Sequence, residues 1–194
     1  MKLSCEDVYA DVPDNRMQRS AHDEAHAPDG HLRVKVAASV SSECLSCLGL
    51  AGNPRISPGP PIYVGTYWQV EHAYPSKLVG WLVIVLRRHA IALHELSSEE
   101  FAEFGSVLEM TIRAVHGALG PAKEYAACYA EARGFEHIHF HVVPRAQDMP
   151  EELMGAGSFD LLRVSRSEAA DPAAVHAFCT LLQKAYPDAA ARFV

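Results

Sequence analysis

The sequence predicts an α+β fold with an antiparallel sheet, and three features of the chain indicate it. Two pairs of segments have the β-branched and aromatic composition of strands, and a short connection joins the members of each pair. An amphipathic helix separates the two pairs, and a second helix follows them. Because short connections join neighbouring strands in the antiparallel sense, this order of elements indicates an α+β arrangement.

The predicted strands are defined by composition and by the turn residues at their ends. The first pair covers residues 62–71 and 79–86, and a Tyr-Pro-Ser-Lys turn lies between them. The second pair covers residues 124–133 and 135–143. Pro144 is expected to end the last strand, because proline cannot donate to a sheet ladder.

The two predicted helices differ in how clearly the sequence marks them. Ser97 and Glu100 form a capping box at the start of the first helix, and Gly120 marks its end. Its apolar residues recur at helical spacing. They are Phe101, Phe104, Val107, Leu108, Ile112 and Val115. The second helix is predicted over residues 172–185.

Composition excludes several classes of partner and location. Seventeen basic residues against 24 acidic ones give a net charge of −7 with histidine neutral, so we expect no long nucleic acid as a partner. The chain lacks the run of about 18 apolar residues that a membrane span needs, and acidic residues occupy the place of a signal-peptide core. We therefore expect a cytoplasmic protein. Five scattered cysteines predict no disulfide framework.

Residues 137–144 read His-Ile-His-Phe-His-Val-Val-Pro, with histidine at every second position and apolar residues between. This is the period of a strand, so His137, His139 and His141 are predicted to share one face. A merely solvated face is one alternative, and a single metal ion held by all three rings is another. On a straight strand the outer two histidines lie ~13 Å apart, which favours a division of labour between the rings.

The pattern His-φ-His-φ-His-φ-φ, where φ is apolar, resembles the signature of the histidine triad (HIT) family. Residues 80–89, followed by His-Glu-Leu-Ser at 94–97, also resemble the segment that leads into the helix of that family. The resemblance spans roughly residues 44–145. It implies a homodimer with a five-stranded antiparallel sheet in each subunit, acting on nucleoside phosphoesters, phosphoramidates and phosphoanhydrides.

The resemblance also implies roles for the histidines. His139 would be the nucleophile that attacks the α-phosphorus and forms a nucleotidyl-histidine, His141 would contact the phosphate, and His137 would complete the catalytic set. These roles agree with the chemistry of imidazole, which is unprotonated near neutrality and donates hydrogen bonds to phosphate oxygens. No organic cofactor is expected.

Composition and the family resemblance together predict a division of the chain into three parts. Residues 1–36 are rich in charged residues and proline and are predicted to form a flexible N-terminal extension. Residues 37–148 are predicted to form the histidine triad domain. Residues 149–194 are predicted to form a C-terminal extension whose helix packs on that domain.

Cys44 and Cys47 have the C-x-x-C spacing that lets two thiolates reach one zinc ion. The spacing alone is equally compatible with two ordinary thiols. A zinc-containing branch of the family resembles this chain at Cys44, Cys47, His89 and His137, so the resemblance implies a four-ligand zinc site. With four protein ligands the ion would be structural, because no position stays open for water.

Three departures from the family pattern concern the substrate. Many members place Ser or Gln just before the triad to assist the leaving group, where this chain has Gly134 and Arg133. Arg133 can pair with a phosphate of the leaving group, which favours dinucleoside polyphosphates, although a solvated turn residue is an equal alternative. His72 stands where an Asn often holds the ribose. It is expected to bind a hydroxyl in its place.

The sequence therefore predicts a nucleotide hydrolase or transferase, with alternatives left open. The first alternative keeps the same scaffold but has nucleoside phosphoramidates or adenylylated amines as substrates. A slow nucleotide-binding protein that has kept the triad is a second alternative. A catalytic metalloenzyme centred on the histidine strand is a third, in which chelation would abolish activity without unfolding the chain.

Overall fold

The computed structural model describes residues 44–52, 56–162 and 164–186. The predicted extension at residues 1–36 lies outside the described residues. The helices are α1 (Leu45–Leu50), α2 (Ser98–Leu119) and α3 (Pro172–Gln183), and the strands are β1 (Tyr63–Val64), β2 (Trp68–His72), β3 (Leu82–Leu86), β4 (Lys123–Ala127) and β5 (His139–Arg145). Short 3-10 helices cover Leu93–Glu95, Glu151–Leu153 and Gly155–Leu161. No helix within the described ranges has the length and apolarity to cross a membrane.

The strands form one antiparallel sheet in the order β1-β2-β3-β5-β4. The antiparallel sheet and the α+β class predicted from the sequence, and the five strands that the family resemblance implies, are thereby confirmed. The histidine-bearing β5 lies between β3 and β4. Its side chains therefore have a neighbouring strand on both sides, which fixes their direction.

Three predicted strand boundaries are wrong, each for a local reason. The segment predicted as one strand over residues 62–71 is divided, because Gly65 donates to the Trp68 carbonyl in a turn between β1 and β2. The strand predicted over residues 124–133 ends at Ala127. The histidine strand begins at His139 and continues through Pro144.

Helix α2 covers the face of the sheet that faces away from His139 and His141. Its predicted capping box is present, since the Ser97 hydroxyl accepts from the Glu100 N–H while the Glu100 carboxylate accepts from the Ser97 N–H. Gly120 ends it in the left-handed conformation, at φ 56°, which glycine adopts without strain. The core between helix and sheet is apolar. It contains Trp68, Val70, Leu82, Ile84, Val107, Val115 and Val142.

Helix α3 contributes to the same core. Val175, Phe178, Cys179 and Leu182 are its buried residues. The Gln183 amide donates to the Pro61 carbonyl at 2.7 Å, which joins the end of the helix to the segment before β1. Residues 172–183 therefore pack on the sheet and on α2.

Candidate functional site

Two rows of side chains cross three strands on the face of the sheet opposite α2. The strand register places each triad histidine beside a valine of β3, and each of those valines beside a polar residue of β2. Both valines line one cavity together with both histidines. The rows are His139, Val85 and Gln69, and His141, Val83 and Glu71.

A cavity of about 740 Å³ lies over these rows. One wall is α1, which contributes Ser46, Gly49 and Leu50. The other walls come from residues 129–135, before the triad, and from residues 156–162, after β5. A volume of this size is typical of sites for small molecules or cofactors. The histidine face is therefore the floor of a ligand-sized space.

The ring of His139 is held in one tautomer. Its Nδ1 lies 2.6 Å from the His137 carbonyl oxygen, which only accepts, so Nδ1 carries the proton and donates. The lone pair of the neutral ring is therefore on Nε2. Burial lowers the pKa of His139 below its usual value, and the hydrogen bond to the carbonyl opposes this effect. The neutral ring with a free Nε2 is the form that acts as a nucleophile.

His141 is held in the opposite tautomer. Its Nδ1 accepts from the indole N–H of Trp81 at 3.1 Å, so the proton of the neutral ring is on Nε2. Burial lowers the pKa of His141 to about 3, with a further contribution from the neighbouring His139. The two rings are 4.8 Å apart between centroids. An Nε2 lone pair on His139 thus lies beside an Nε2–H donor on His141.

The ring of His137 belongs to a different cluster, with Cys44, Cys47 and His89. Its Nδ1 is 3.4 Å from the Cys44 sulfur and 3.5 Å from the Cys47 sulfur, and the Cys47 sulfur is 3.5 Å from Nδ1 of His89. The four ligand atoms lie within 4.8 Å of one another. The prediction of one shared face therefore applies to His139 and His141, while the His137 ring is in this cluster.

The geometry of this cluster fits a tetrahedral metal ion. Metal–sulfur bonds of about 2.3 Å and metal–nitrogen bonds of about 2.0–2.1 Å require sulfur–nitrogen separations of roughly 3.5 Å, the distances seen here. His137 also donates from Nε2 to the Leu86 carbonyl at 2.6 Å, as ligating histidines commonly do with their second nitrogen. Cys44, Cys47 and His137 are buried and His89 is half-buried.

His72 borders the cavity, but its ring nitrogens have partners within the chain. Nδ1 donates to the Ala73 carbonyl at 2.7 Å, and Nε2 accepts from the Gly80 N–H at 3.0 Å. The side chain is 2% exposed, and its ring meets Phe178 edge-on. These bonds connect the two ends of the β2–β3 turn. They leave neither nitrogen for a ribose hydroxyl.

Arg133 and Gly134 lie in a turn before the triad. Arg133 is exposed, between the cavity-lining residues Ala132 and Phe135. The Gly134 N–H donates to the Glu136 carboxylate at 2.8 Å. The backbone donor expected from Gly134 is therefore already occupied, whereas Arg133 is exposed on the turn between two residues that line the cavity.

The arrangement of this sheet and its helices is that of known histidine triad proteins. A Zn-bound histidine triad family protein from Mycobacterium smegmatis is 21% identical, with a TM-score of 0.52 over 73% of this chain and 91% of that chain. A hypothetical histidine triad nucleotide-binding protein from Sulfolobus tokodaii is 14% identical, with a TM-score of 0.54 over 73% and 91%. The chain has the histidine triad fold. The resemblance predicted from the sequence is confirmed at this level.

A Hit-like protein involved in cell-cycle regulation from Bartonella henselae is 12% identical, with a TM-score of 0.53 over 72% of this chain and 93% of that chain. No protein-family model and no curated protein sequence matches this chain. At these identities the structural matches establish the histidine triad fold alone.

Three residues of the triad site were not predicted. Trp81 orients His141, and Phe159 of the C-terminal segment packs edge-on against the His141 ring at 4.9 Å. Glu71 faces the cavity from β2. The alternation Gln-Val-Glu in β2 was a usable signal for Glu71, because it places two polar side chains on one strand face. Phe159 had no comparable signal.

We expect the buried His72 to make stability fall in mild acid. Burial lowers its pKa from 6.5 to about 4, so the unfolded chain binds more protons than the folded chain between these values. The contribution of the neutral His72 ring to the free energy of unfolding is fully present above pH 6.5 and is lost as the pH falls to 4. The loss is at most about 3 kcal/mol. Urea unfolding of the wild type and of His72→Asn is measured from pH 7 to pH 4.5. The free energy of unfolding should fall less steeply with decreasing pH in the variant than in the wild type. The exposed His94→Asn is the control, and equal slopes in all three proteins would contradict the assignment.

Proposed function

We propose that the protein is a nucleotidyl hydrolase or transferase in which His139 attacks the α-phosphorus of a nucleotide conjugate. The observation that carries the proposal is the hydrogen bond from His139 Nδ1 to the His137 carbonyl. It leaves the Nε2 lone pair on the cavity floor, beside the proton-bearing Nε2 of His141. A nucleophile and a donor for a nonbridging oxygen are the two groups that displacement at phosphorus needs.

The proposed reaction has two displacements. The Nε2 lone pair of His139 forms a nitrogen–phosphorus bond, while the bond from phosphorus to the leaving group breaks and the leaving group takes its electron pair. Water then attacks the same phosphorus, the nitrogen–phosphorus bond breaks, and a nucleoside monophosphate is released with the water proton lost to solvent. Splitting one displacement into two lowers the barrier of each step. Release of the monophosphate, followed by chromatography, tests the activity.

The proposed substrates are dinucleoside polyphosphates or related conjugates, and Arg133 supports this choice. On an exposed turn beside the cavity, its guanidinium can meet a leaving-group phosphate by charge-assisted hydrogen bonds. A nucleoside phosphoramidate, whose leaving group is an amine, lacks that phosphate. Only the dinucleoside polyphosphates therefore offer Arg133 a leaving-group phosphate to bind.

We expect Arg133→Ala to lower kcat/KM for a dinucleoside polyphosphate by about 10-fold or more, and for the matching phosphoramidate by much less. About 10-fold corresponds to the loss of one charge-assisted hydrogen bond. Parallel assays of both substrates give the ratio. Arg113→Ala is the control, because Arg113 is exposed on α2 and pairs with Glu109. Equal losses on both substrates would remove the preference and favour the phosphoramidate alternative.

We propose zinc as the ion of the cysteine–histidine cluster. Two sulfurs and two imidazole nitrogens are a donor set that zinc prefers, and the separations match its tetrahedral radius. Bound zinc would supply structural crosslinking rather than a reactive water, since four protein ligands fill its coordination. The cluster joins α1 to the segment after β3, through His89, and to the segment just before the histidine strand, through His137. The homodimer implied by the family resemblance stays a prediction, which sedimentation or light scattering would test.

A further inference from the structure

A row of aromatic rings leads from the reacting histidines to the rim of the cavity. Phe159 meets the His141 ring edge-on at 4.9 Å between centroids, and Tyr129 meets Phe159 edge-on at 5.2 Å. These two contacts place the Tyr129 ring within about 10 Å of the His141 ring. Tyr129 and Phe159 both line the cavity and together form its aromatic rim.

Phe159 is the fixed member of the aromatic rim. It lies in the 3-10 helix Gly155–Leu161, which is tied to the β2–β3 turn because the Lys77 N–H donates to the Leu161 carbonyl at 2.8 Å. Its ring also meets the buried Trp81 edge-on at 5.2 Å. The ring against which the exposed tyrosine rests is therefore held from two sides.

Tyr129 is an aromatic side chain that contributes little to the core. It is 56% exposed, so little of its surface is removed from water by folding. The next residue, Ala130, is buried and adopts the left-handed conformation at φ 54°, which residues other than glycine rarely adopt. Such strain persists only where the surrounding structure imposes it, and it is concentrated at ligand sites. An exposed ring on a strained turn at the edge of a cavity is typical of a ligand-binding group.

The aromatic rim and the valines of β3 lie on opposite sides of the triad histidines. Val83 of β3 pairs with His141 from one side, and Ala127, the last residue of β4, pairs with it from the other. Tyr129 follows Ala127 by two residues, and the exposed Arg133 is in the same segment. A leaving-group phosphate that meets Arg133 therefore leads away from β3 and toward the aromatic rim.

We propose that the aromatic rim binds the second nucleobase of a dinucleoside polyphosphate, with the Tyr129 ring stacked on that base. The inference rests on the proposed function, because it takes the α-phosphate to lie at His139. Nucleobases stack on exposed aromatic rings, and each such contact strengthens binding without selecting one base. The phosphates and ribose of the leaving group can span the distance from the reacting phosphorus to the rim. Tyr129 is thus a specificity-determining residue for the leaving group, beside Arg133, which meets its phosphate.

Hydrolysis of diadenosine tetraphosphate and of adenosine tetraphosphate tests this inference. The two substrates have the same number of phosphates and both release adenosine monophosphate, but the second lacks the distal adenosine. Tyr129→Ala should lower kcat/KM for the dinucleoside substrate by at least about 5-fold, the scale of one base–aromatic stack, and for adenosine tetraphosphate by much less. Tyr129→Phe keeps the ring and should keep the wild-type ratio of the two rates. Phe101→Ala is the matched control, because Phe101 is exposed on α2, away from the cavity.

The outcomes separate the two proposals. If a folded Tyr129→Ala loses the same factor on both substrates, or loses nothing, the aromatic rim does not bind the base and the nucleotidyl chemistry still stands. A Tyr129→Phe variant that loses as much as Tyr129→Ala also overturns the stacking role. Tyr129→Leu guards against misfolding of the alanine variant, since it keeps apolar bulk without a ring and should show the same selective loss. A wild type that releases no adenosine monophosphate from either substrate overturns both proposals.

Discussion

His139→Ala should abolish covalent nucleotidylation and lower kcat by at least about 1,000-fold, the scale of loss when a covalent nucleophile is removed. The physical reason is that the variant lacks the Nε2 lone pair, while the Nε2–H of His141 can still hold the phosphate. Intact-protein mass after a brief reaction, quenched in alkaline denaturant to preserve the nitrogen–phosphorus bond, should show one nucleotidyl adduct on the wild type. The variant should bind nucleotide and show no adduct.

His94→Ala is a matched control, because His94 is exposed in the 3-10 helix before α2. It should form the adduct at the wild-type rate. His139→Gly with added imidazole adds a second check, since a free imidazole in the vacated space should restore part of the turnover. A wild type that binds nucleotide tightly, with neither adduct nor product, would support the slow nucleotide-binding alternative. An adduct on His139→Ala would assign the nucleophile to another residue.

Cys47→Ala should remove the metal and lower the melting temperature by more than about 10 °C. Its sulfur lies 3.5 Å from Nδ1 of both His89 and His137, so its loss opens the cluster at the centre. Structural zinc contributes about 10 kcal/mol or more to the folding of small domains, and a fraction of that is enough for this shift. The zinc content found by elemental analysis should fall from about one ion per chain to near zero. The melting temperature is measured by circular dichroism.

Cys128→Ala is the control for this prediction, since Cys128 is a half-buried free cysteine outside the cluster. It should keep its zinc and change the melting temperature only slightly. Chelation of the wild type should lower stability before it lowers the activity of the chains that remain folded. If chelation instead stopped turnover in a fully folded chain, the metal would have a catalytic role. Stoichiometric zinc in Cys47→Ala would place the ion elsewhere.

The parts of the fold that the sequence predicted are those with local signals. The capping box of Ser97 and Glu100 and the terminal Gly120 define α2, because caps and helical spacing act within a few residues. The cluster of Cys44, Cys47 and two histidines was implied by family resemblance, and the structure brings all four side chains together. The alternating histidines predicted a shared face correctly for His139 and His141.

The remaining features depend on contacts that form only when the chain is folded, and most of them join distant parts of the sequence. The alternation extends to His137, but its ring bonds to Leu86 and approaches two cysteines about 90 residues away, so the regular strand starts only at His139. The engagement of His72 by Gly80 depends on the closed β2–β3 turn. The contact of Phe159 with His141 depends on the return of the C-terminal segment to the sheet. No short-range pattern encodes these contacts.

One residue takes part in both sites. The ring of His137 faces the cysteine cluster, while its carbonyl oxygen fixes the proton on Nδ1 of His139. A rotation of the backbone at His137 would therefore disturb both the geometry of the cysteine–histidine cluster and the hydrogen bond that sets the tautomer of His139. By thermodynamic reciprocity, a nucleotide that holds His139 in its productive orientation should raise the affinity of the cluster for its ion by the same factor by which the ion raises the affinity for the nucleotide.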